Sequence, residues 1–324
     1  MSEIVNLSPE SEDELFRFLK EDEKVYSEKI IAPRYSYWKS VFRVFFRKKS
    51  NIFLLTLFTL LMLAIVFVPI FFKYDVMENV TDASTYNLSP AEATKRFGSG
   101  LKYIFGTGST GNAIFLGLFS AAQTSLKLSF TCAIINMVAG VIVGAFWGYS
   151  KKADVVLLVI YNIFGNVPTT LLTAVLVYVI GSGFWSLVIA FTLFGWLFVA
   201  FFFRTQVMII RDREYSLASR CLGTPITRIV SRNVLPFLTS VIVTLLAAEL
   251  PGYISSEVFL SFAGLGLSAS VPSLGRMITL GQSAFLTYPW AFWPPVAMAS
   301  LVTLILYLLG QHLADASDPR THML

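Results

Sequence analysis

Apolar residues in this chain gather into long blocks separated by short polar stretches. From Ile52 to Phe72 no position carries a charge, and about 20 such residues span a hydrocarbon core. That run starts too deep in the chain, and is too long, for a cleavable signal peptide, so it reads as a retained anchor. Comparable runs cover residues 126–149, 155–180, 184–207, 237–260 and 290–310. The pattern predicts an all-α integral membrane protein with six transmembrane helices across residues 50–310, and both termini on one side. Within the second run, Gly140, Gly144 and Gly148 recur every fourth position, a surface that another helix can approach closely; packing within the chain is the favoured reading. Pro168, in the sequence Gly165-Asn166-Val167-Pro168, interrupts the third run. Broken backbone at membrane depth must be buried or line a cavity, so Pro168 marks either a packed kink or a wall of the solute path.

A different period precedes the first span. Trp38, Val41, Phe42, Phe45 and Phe46 follow i, i+3, i+4, i+7, i+8, with Lys39, Arg43 and Arg47 on another face. This predicts a helix over 38–49 lying in the lipid headgroup plane. Residues 1–37 form an acidic tail, with nine acidic and three basic side chains in 1–28. Ser11 and Glu14 are spaced as a capping box, yet a solvated tail is the favoured reading. The segment 73–112 is polar and too short for a sizeable domain, and 311–324 forms a second tail.

Composition removes other classes. Charged residues are 14% of the 324 and the AVILMFWYC set 55%, with Phe supplying 29 positions; soluble domains average roughly 25% charged. Two cysteines and two histidines leave no disulfide framework and make a histidine metal site improbable. Cys132 falls in a span and Cys221 in a loop, and both read as small packing residues. The net charge of +5 follows topology, so it does not point to nucleic acid. Lys and Arg concentrate at 39–49, 151–152, 204–232 and Arg320. The opposite side holds Lys73, Lys95, Arg96, Lys102 and Arg276. The positive-inside rule therefore places both termini in the cytoplasm.

The stretch from Arg211 to Pro236 carries the most information about mechanism. Tyr215, Ala218, Ser219 and Leu222 share one helical face, beside Leu217, and Gly223 is suited to close that helix in a left-handed conformation. Thr224 then reads as an N-cap and Pro225 as the first residue of a second helix, which groups Ile226, Ile229 and Val230. Two short amphipathic helices joined at a glycine have no core of their own, so their apolar faces require a partner. Folding back onto the basic membrane surface is the alternative. A DNA-binding helix-turn-helix is disfavoured because spans tether both ends.

With these residues in view, the chain resembles the permease subunits of bacterial ATP-binding-cassette importers, whose loop signature is EAA, Gly, nine residues, then I-x-LP. Here LASRCLG (217–223) is followed after nine residues by NVLP (233–236). Ala218, Gly223, Leu235 and Pro236 match; Leu217, Ser219 and Asn233 depart, and with Leu217 the family's Glu is missing. FGTGSTGNAIFLGLFSAAQTSL (105–126), GVIVGAFWGYSKKAD (140–154), EVFLSFAGLGLSASVPSLGRMI (257–278) and LLGQHLADASDPR (308–320) resemble, in order, blocks of the oligopeptide and dipeptide permease C type. The resemblance implies a peptide importer subunit working by alternating access in the bacterial cell membrane. It also implies a second homologous permease subunit as heterodimer partner, two cytoplasmic ATPase subunits, an extracellular lipid-anchored or periplasmic peptide-binding protein, and contact with membrane lipid but not nucleic acid. ATP and Mg would sit on the partner ATPases, with no cofactor in this chain. Consistent with that, no G-x-x-x-x-G-K-[ST] loop and no H-E-x-x-H or G-x-S-x-G motif occurs in the sequence.

The expected docking residues are Tyr215, Leu217, Ala218, Ser219, Leu222, Gly223, Thr224 and Pro225. Candidate path-lining residues are Pro168 and Glu257. A carboxylate at membrane depth is costly and should face protein, water or a cavity. Glu257 reads either as a pin for the glycine-rich turn after it or as a polar lining near the outer mouth. An ion-coupled secondary transporter would have only Glu249 and Glu257 as intramembrane acids, a thin basis for a proton pathway.

Overall fold

The computed structural model describes residues 37–317, apart from Met77, Ser99 and Ala284. The acidic tail, the Ser11–Glu14 pair and Arg320 lie outside the described residues. Residues up to Ser40 belong to a separate unit, of which only the first turn of α1 (Tyr37–Arg47) is described.

From Val41 onward, the chain is a bundle of α-helices. Lys48 takes an extended conformation and separates α1 from the first long helix, α2 (Lys49–Phe71). In α1 the expected apolar stripe divides: Val41 and Phe45 are buried, while Phe42 and Phe46 face outward. Buried Asn51 fixes the corner, donating to the Phe45 carbonyl at 2.9 Å and pairing through its Oδ1 with His312 Nδ1.

The polar stretch after α2 is folded. It contains α3 (Pro90–Phe97), opened by Ser89 and Glu92 in a reciprocal capping box with Pro90 at the first position. Asn79 Nδ2 donates to the Gly111 carbonyl at 3.0 Å and Thr107 Oγ1 to the Thr85 carbonyl at 2.6 Å. Ala93, Tyr103 and Ala113 form its small core.

The second long helix, α4 (Ile114–Tyr149), has 36 residues and starts well before the expected 126. Gln123, Ser125 and Lys127 dilute the apolar run there, so hydropathy alone truncates it; Ser125 is buried and bonded to Glu257, while Lys127 stays exposed. α4 is the central helix. Its glycine stripe receives α7 (Phe184–Arg211): a Cβ at Gly140 would lie 2.5 Å from Val199, at Gly144 2.4 Å from the Ala200 carbonyl, and at Gly148 2.8 Å from Val207. The stripe is intramolecular packing.

Between α4 and α7 the third apolar run forms two helices, α5 (Lys151–Gly165) and α6 (Thr169–Ile180), bent by 83° across the residues that include Pro168. Next come α8 (Glu214–Cys221), the single turn α9 (Ile226–Ile229) and α10 (Leu235–Phe262). The short α11 (Leu274–Gln282), which the hydropathy pattern does not announce, precedes α12 (Pro289–Ser317). Among the described residues, five helices are long and apolar enough to cross a membrane, or six spans if the bent α5–α6 pair counts as one. Many large apolar side chains point outward, among them Phe53, Phe67, Phe71, Tyr178 and Val179. In water that would be untenable; in a bilayer it is the lipid- or partner-facing surface.

Candidate functional site

The first feature is the exposed loop between α7 and α10. Arg213 lies just before α8, and Gly223 follows it with φ +73°. Its N–H donates to the Arg220 carbonyl and that of Thr224 to the Ser219 carbonyl. This is the left-handed helix closure expected for Gly223. The expected face is outward: Tyr215, Leu217 and Ala218 are exposed, Ser219 is half-buried, and Leu222 is 86% exposed. Ser216, between them, is buried. Cys221 is exposed, which corrects its reading as a packing residue.

The second half of the loop differs from expectation in three ways. Thr224 does not cap, and Pro225 sits at the N-cap position with extended ψ, so the helix begins at Ile226. Proline's fixed φ suits either place. The second helix is also not separate, because a π-turn, Val230–Val234, joins α9 directly to α10. Finally, most of the apolar face of this half is covered within the chain. Ile229, Val230 and Val234 are buried against Tyr149, Phe203 and Val207 of α4 and α7. Ile226 stays exposed, as do Leu217 and Leu222 in the α8 half.

An ion-paired cluster braces the same region. Asp154 of α5 receives Nη2 of Arg204 at 2.9 Å and Nε1 of Trp147 at 2.7 Å, and Arg211 Nη1 donates to the Gly148 carbonyl at 2.8 Å. The Arg204 guanidinium also lies 5.7 Å from the centre of the Trp147 ring.

The second feature is a cavity of about 340 Å3 lined by residues of α6, α7 and α10. Thr169, Thr170 and Thr173, immediately after the break, line one wall. Phe191, Phe194, Gly195 and Phe198 line another, and Glu249, Gly252, Tyr253 and Ser256 a third. Pro168 itself is exposed and not on the wall; it creates the break that starts the threonine-bearing helix. Tyr253 Oη accepts from Asn136 Nδ2 at 2.5 Å, and the same Asn136 amide reaches the Phe191 carbonyl at 3.2 Å.

Glu257 lies elsewhere. It is fully buried and absent from the cavity wall. Its Oε2 accepts from the Ser125 hydroxyl at 3.0 Å and its Oε1 from the Ser261 hydroxyl at 2.9 Å. Ser125 Oγ in turn accepts the N–H of Leu274 at 3.2 Å. The carboxylate thus ties α4 to α10 and to the start of α11, across the turn in which Gly264 takes φ +78°. A Cβ at Gly275 would come within 2.7 Å of Ser261 Cβ, so the tie depends on a bare backbone there. This arrangement corrects the path-lining reading of Glu257 in this conformation, because every approach to its oxygens is filled by protein. The acid on the cavity wall is Glu249, which periodicity alone does reveal: Glu249, Tyr253 and Ser256 are spaced i, i+4, i+7 along an otherwise apolar span.

Five long apolar helices, a bent pair and an outward glycine-closed loop define a multi-pass membrane protein of the transport-permease class. The profile of the binding-protein-dependent transport system inner membrane component matches residues 137–323, and that of the N-terminal TM domain of oligopeptide transport permease C matches residues 36–90. The chain is 44% identical over 311 residues to the oligopeptide transport system permease protein AmiD of Streptococcus pneumoniae, covering 95% of this chain and 98% of that one. It is 30% identical over 295 residues to the oligopeptide transport system permease protein OppC of Bacillus subtilis, covering 91% and 93%. Against the dipeptide transport system permease protein DppC of the same organism it is 30% identical over 312 residues, covering 95% and 93%. The chain belongs to the family of binding-protein-dependent transport system inner membrane components, and it is a transport component rather than an enzyme.

Proposed function

We propose that this chain is a permease subunit of an ATP-driven importer that carries oligopeptides or dipeptides across the bacterial cytoplasmic membrane by alternating access. Its partners are a second homologous permease subunit, two cytoplasmic ATPases that hold ATP and Mg, and a lipid-anchored or periplasmic peptide-binding protein. The 44% identity to a named oligopeptide permease along nearly the whole of both chains supports the solute class. The distribution of Lys and Arg supports cytoplasmic termini and a cytoplasmic α8 loop.

The observation that carries the energy coupling is the geometry of that loop. α8 presents Tyr215, Leu217 and Leu222 outward, and Gly223 sets the direction in which the chain leaves. An ATPase cleft that receives Leu217 and Leu222 buries two exposed side chains, each contributing roughly 1.5–3 kcal/mol when fully removed from water. Docking alone moves no equilibrium; nucleotide binding must favour one arrangement of the docked loops over the other. The interfacial helix α1 holds Phe42 and Phe46 at the cytoplasmic leaflet.

Uptake of a radiolabelled tripeptide by cells lacking this gene, with and without a plasmid copy, tests the reading. Uptake restored by the chain, and abolished when the ATPases are deleted, is the expected result. Uptake that survives ATPase loss would transfer the chain to ion-coupled transport.

A further inference from the structure

The cavity behind the α5–α6 break has one acidic residue among its lining residues, Glu249. Glu249 is half-buried. Among the described residues, no cation pairs with it and no hydroxyl, amide or backbone N–H donates to it. Glu257, by contrast, has both oxygens occupied by serine hydroxyls. A membrane-depth carboxylate ordinarily finds a partner within the protein, so an acid aimed into a cavity without one calls for a partner from outside.

The surrounding wall specifies that partner. Thr173, on the wall, donates its hydroxyl to the Thr169 carbonyl, so its oxygen has only acceptor capacity left. Phe191, Phe194 and Phe198 also line the space, and aromatic rings can attract a cation. A carboxylate, hydroxyl oxygens and aromatic rings around one space are the complement of an organic ammonium group. The volume of about 340 Å3 suits part of a small peptide.

We propose that Glu249, with Thr173 and the Phe191–Phe194–Phe198 wall, is a binding site for the primary ammonium group of the transported solute. The site rests on the peptide-importer reading and names the part of the peptide that this chain holds. The ammonium is either the peptide N-terminus or a lysine side chain.

Two measurements on the full chain in its assembled transporter test this. Uptake of trialanine, N-acetyl-trialanine and an N-acetylated lysine-containing tripeptide is compared between wild type and Glu249→Gln, each peptide normalised to its own wild-type rate. The substitution is expected to lower uptake about tenfold for one or both ammonium-bearing peptides, which assigns the source, and to leave N-acetyl-trialanine unchanged. Equal loss for all three overturns the site. The second measurement needs no transport. In membranes carrying Ser256→Cys, modification at position 256 by a cationic and an anionic thiosulfonate of similar size is followed by peptide mass. An ionised Glu249 should make the cationic reagent faster by roughly tenfold, and adding Glu249→Gln should remove the preference. Equal rates for both reagents with Glu249 intact would mean that the wall is neutral and would overturn the proposal. If wild type carried none of the peptides, the importer reading would fall while the thiosulfonate ratio still decided the site.

Discussion

At residue scale, buried polar groups and missing side chains set the tolerances. Glu257 accepts two serine hydroxyls in full burial. Alanine there would leave those hydroxyls without an acceptor, each a loss of about 1–3 kcal/mol, and would open a void between α4 and α10. Glutamine keeps the volume, and a rotated hydroxyl can accept from its amide. Glu257→Gln should therefore assemble with near-normal thermal stability in detergent, and Glu257→Ala should lose most assembled protein. A stable, fully assembled alanine variant would refute the tie. Gly144 offers a second test. Alanine at that position would put a Cβ 2.4 Å from the Ala200 carbonyl and force α7 away, at an overpacking cost of typically 1–3 kcal/mol. Gly165→Ala, whose nearest neighbour would be Tyr161 at 3.9 Å, should cost little. Melting curves of the two variants would separate contact from a generic glycine effect.

At the scale of elements, the α8 loop and the polar segment after α2 behave differently under perturbation. Nothing lies within 4 Å of a Cβ built on Gly223, but its φ is +73°. Gly223→Val therefore strains the backbone without a clash, by roughly 1–2 kcal/mol. Insertion and assembly should be unchanged, while peptide-stimulated ATP hydrolysis by the complex should fall. Full stimulation in this variant would sever the loop from coupling. The segment around α3 should instead respond to acid. The Ser84 hydroxyl and N–H, with Arg96, hold the Asp82 carboxyl below the usual carboxylate range, and the Ser89 N–H and hydroxyl do the same for Glu92. Groups depressed on folding stabilise above their unfolded values and lose that contribution as pH falls through the lowered folded values. Hydrogen exchange at the Ser84 and Ser89 amides, corrected for intrinsic rates, should accelerate below about pH 4 and stay constant between pH 6 and 8. Protection at neutral pH that is unchanged by Asp82→Asn and Glu92→Gln would show that the carboxylates are dispensable there.

At the scale of the molecule, what the sequence reveals divides by range. The apolar runs, the break at Pro168 and the glycine closure at 223 are local, because hydropathy, a fixed φ and a missing Cβ act within a few residues. The convergence of Ser125, Glu257 and Leu274 is not local. Its two hydrogen bonds join positions 132 and 149 residues apart, and no periodicity encodes which serine a buried acid will meet. The start of α4 is hidden for a related reason: Ser125 reads as a break in the apolar run until its partners, Glu257 and Leu274, are known. The loop's second half is misjudged because Ile229 and Val230 look like a free face in isolation, whereas α4 and α7 already cover them.

The π-turn at Val230–Val234 has a mechanical meaning. It leaves no slack between α9 and α10, so the chain from Ile226 to Glu249 is helical throughout, with Pro236 directly after the π-turn and Pro251 only beyond that acid. A displacement imposed at the α8 loop would thus travel to the cavity wall along one helical rod, with the π-turn and Pro236 as the places where that rod can bend. Thermodynamic reciprocity applies to any such rod. Whatever factor an engaged motor subunit applies to the grip on cargo, cargo in the cavity must apply to the grip of the motor.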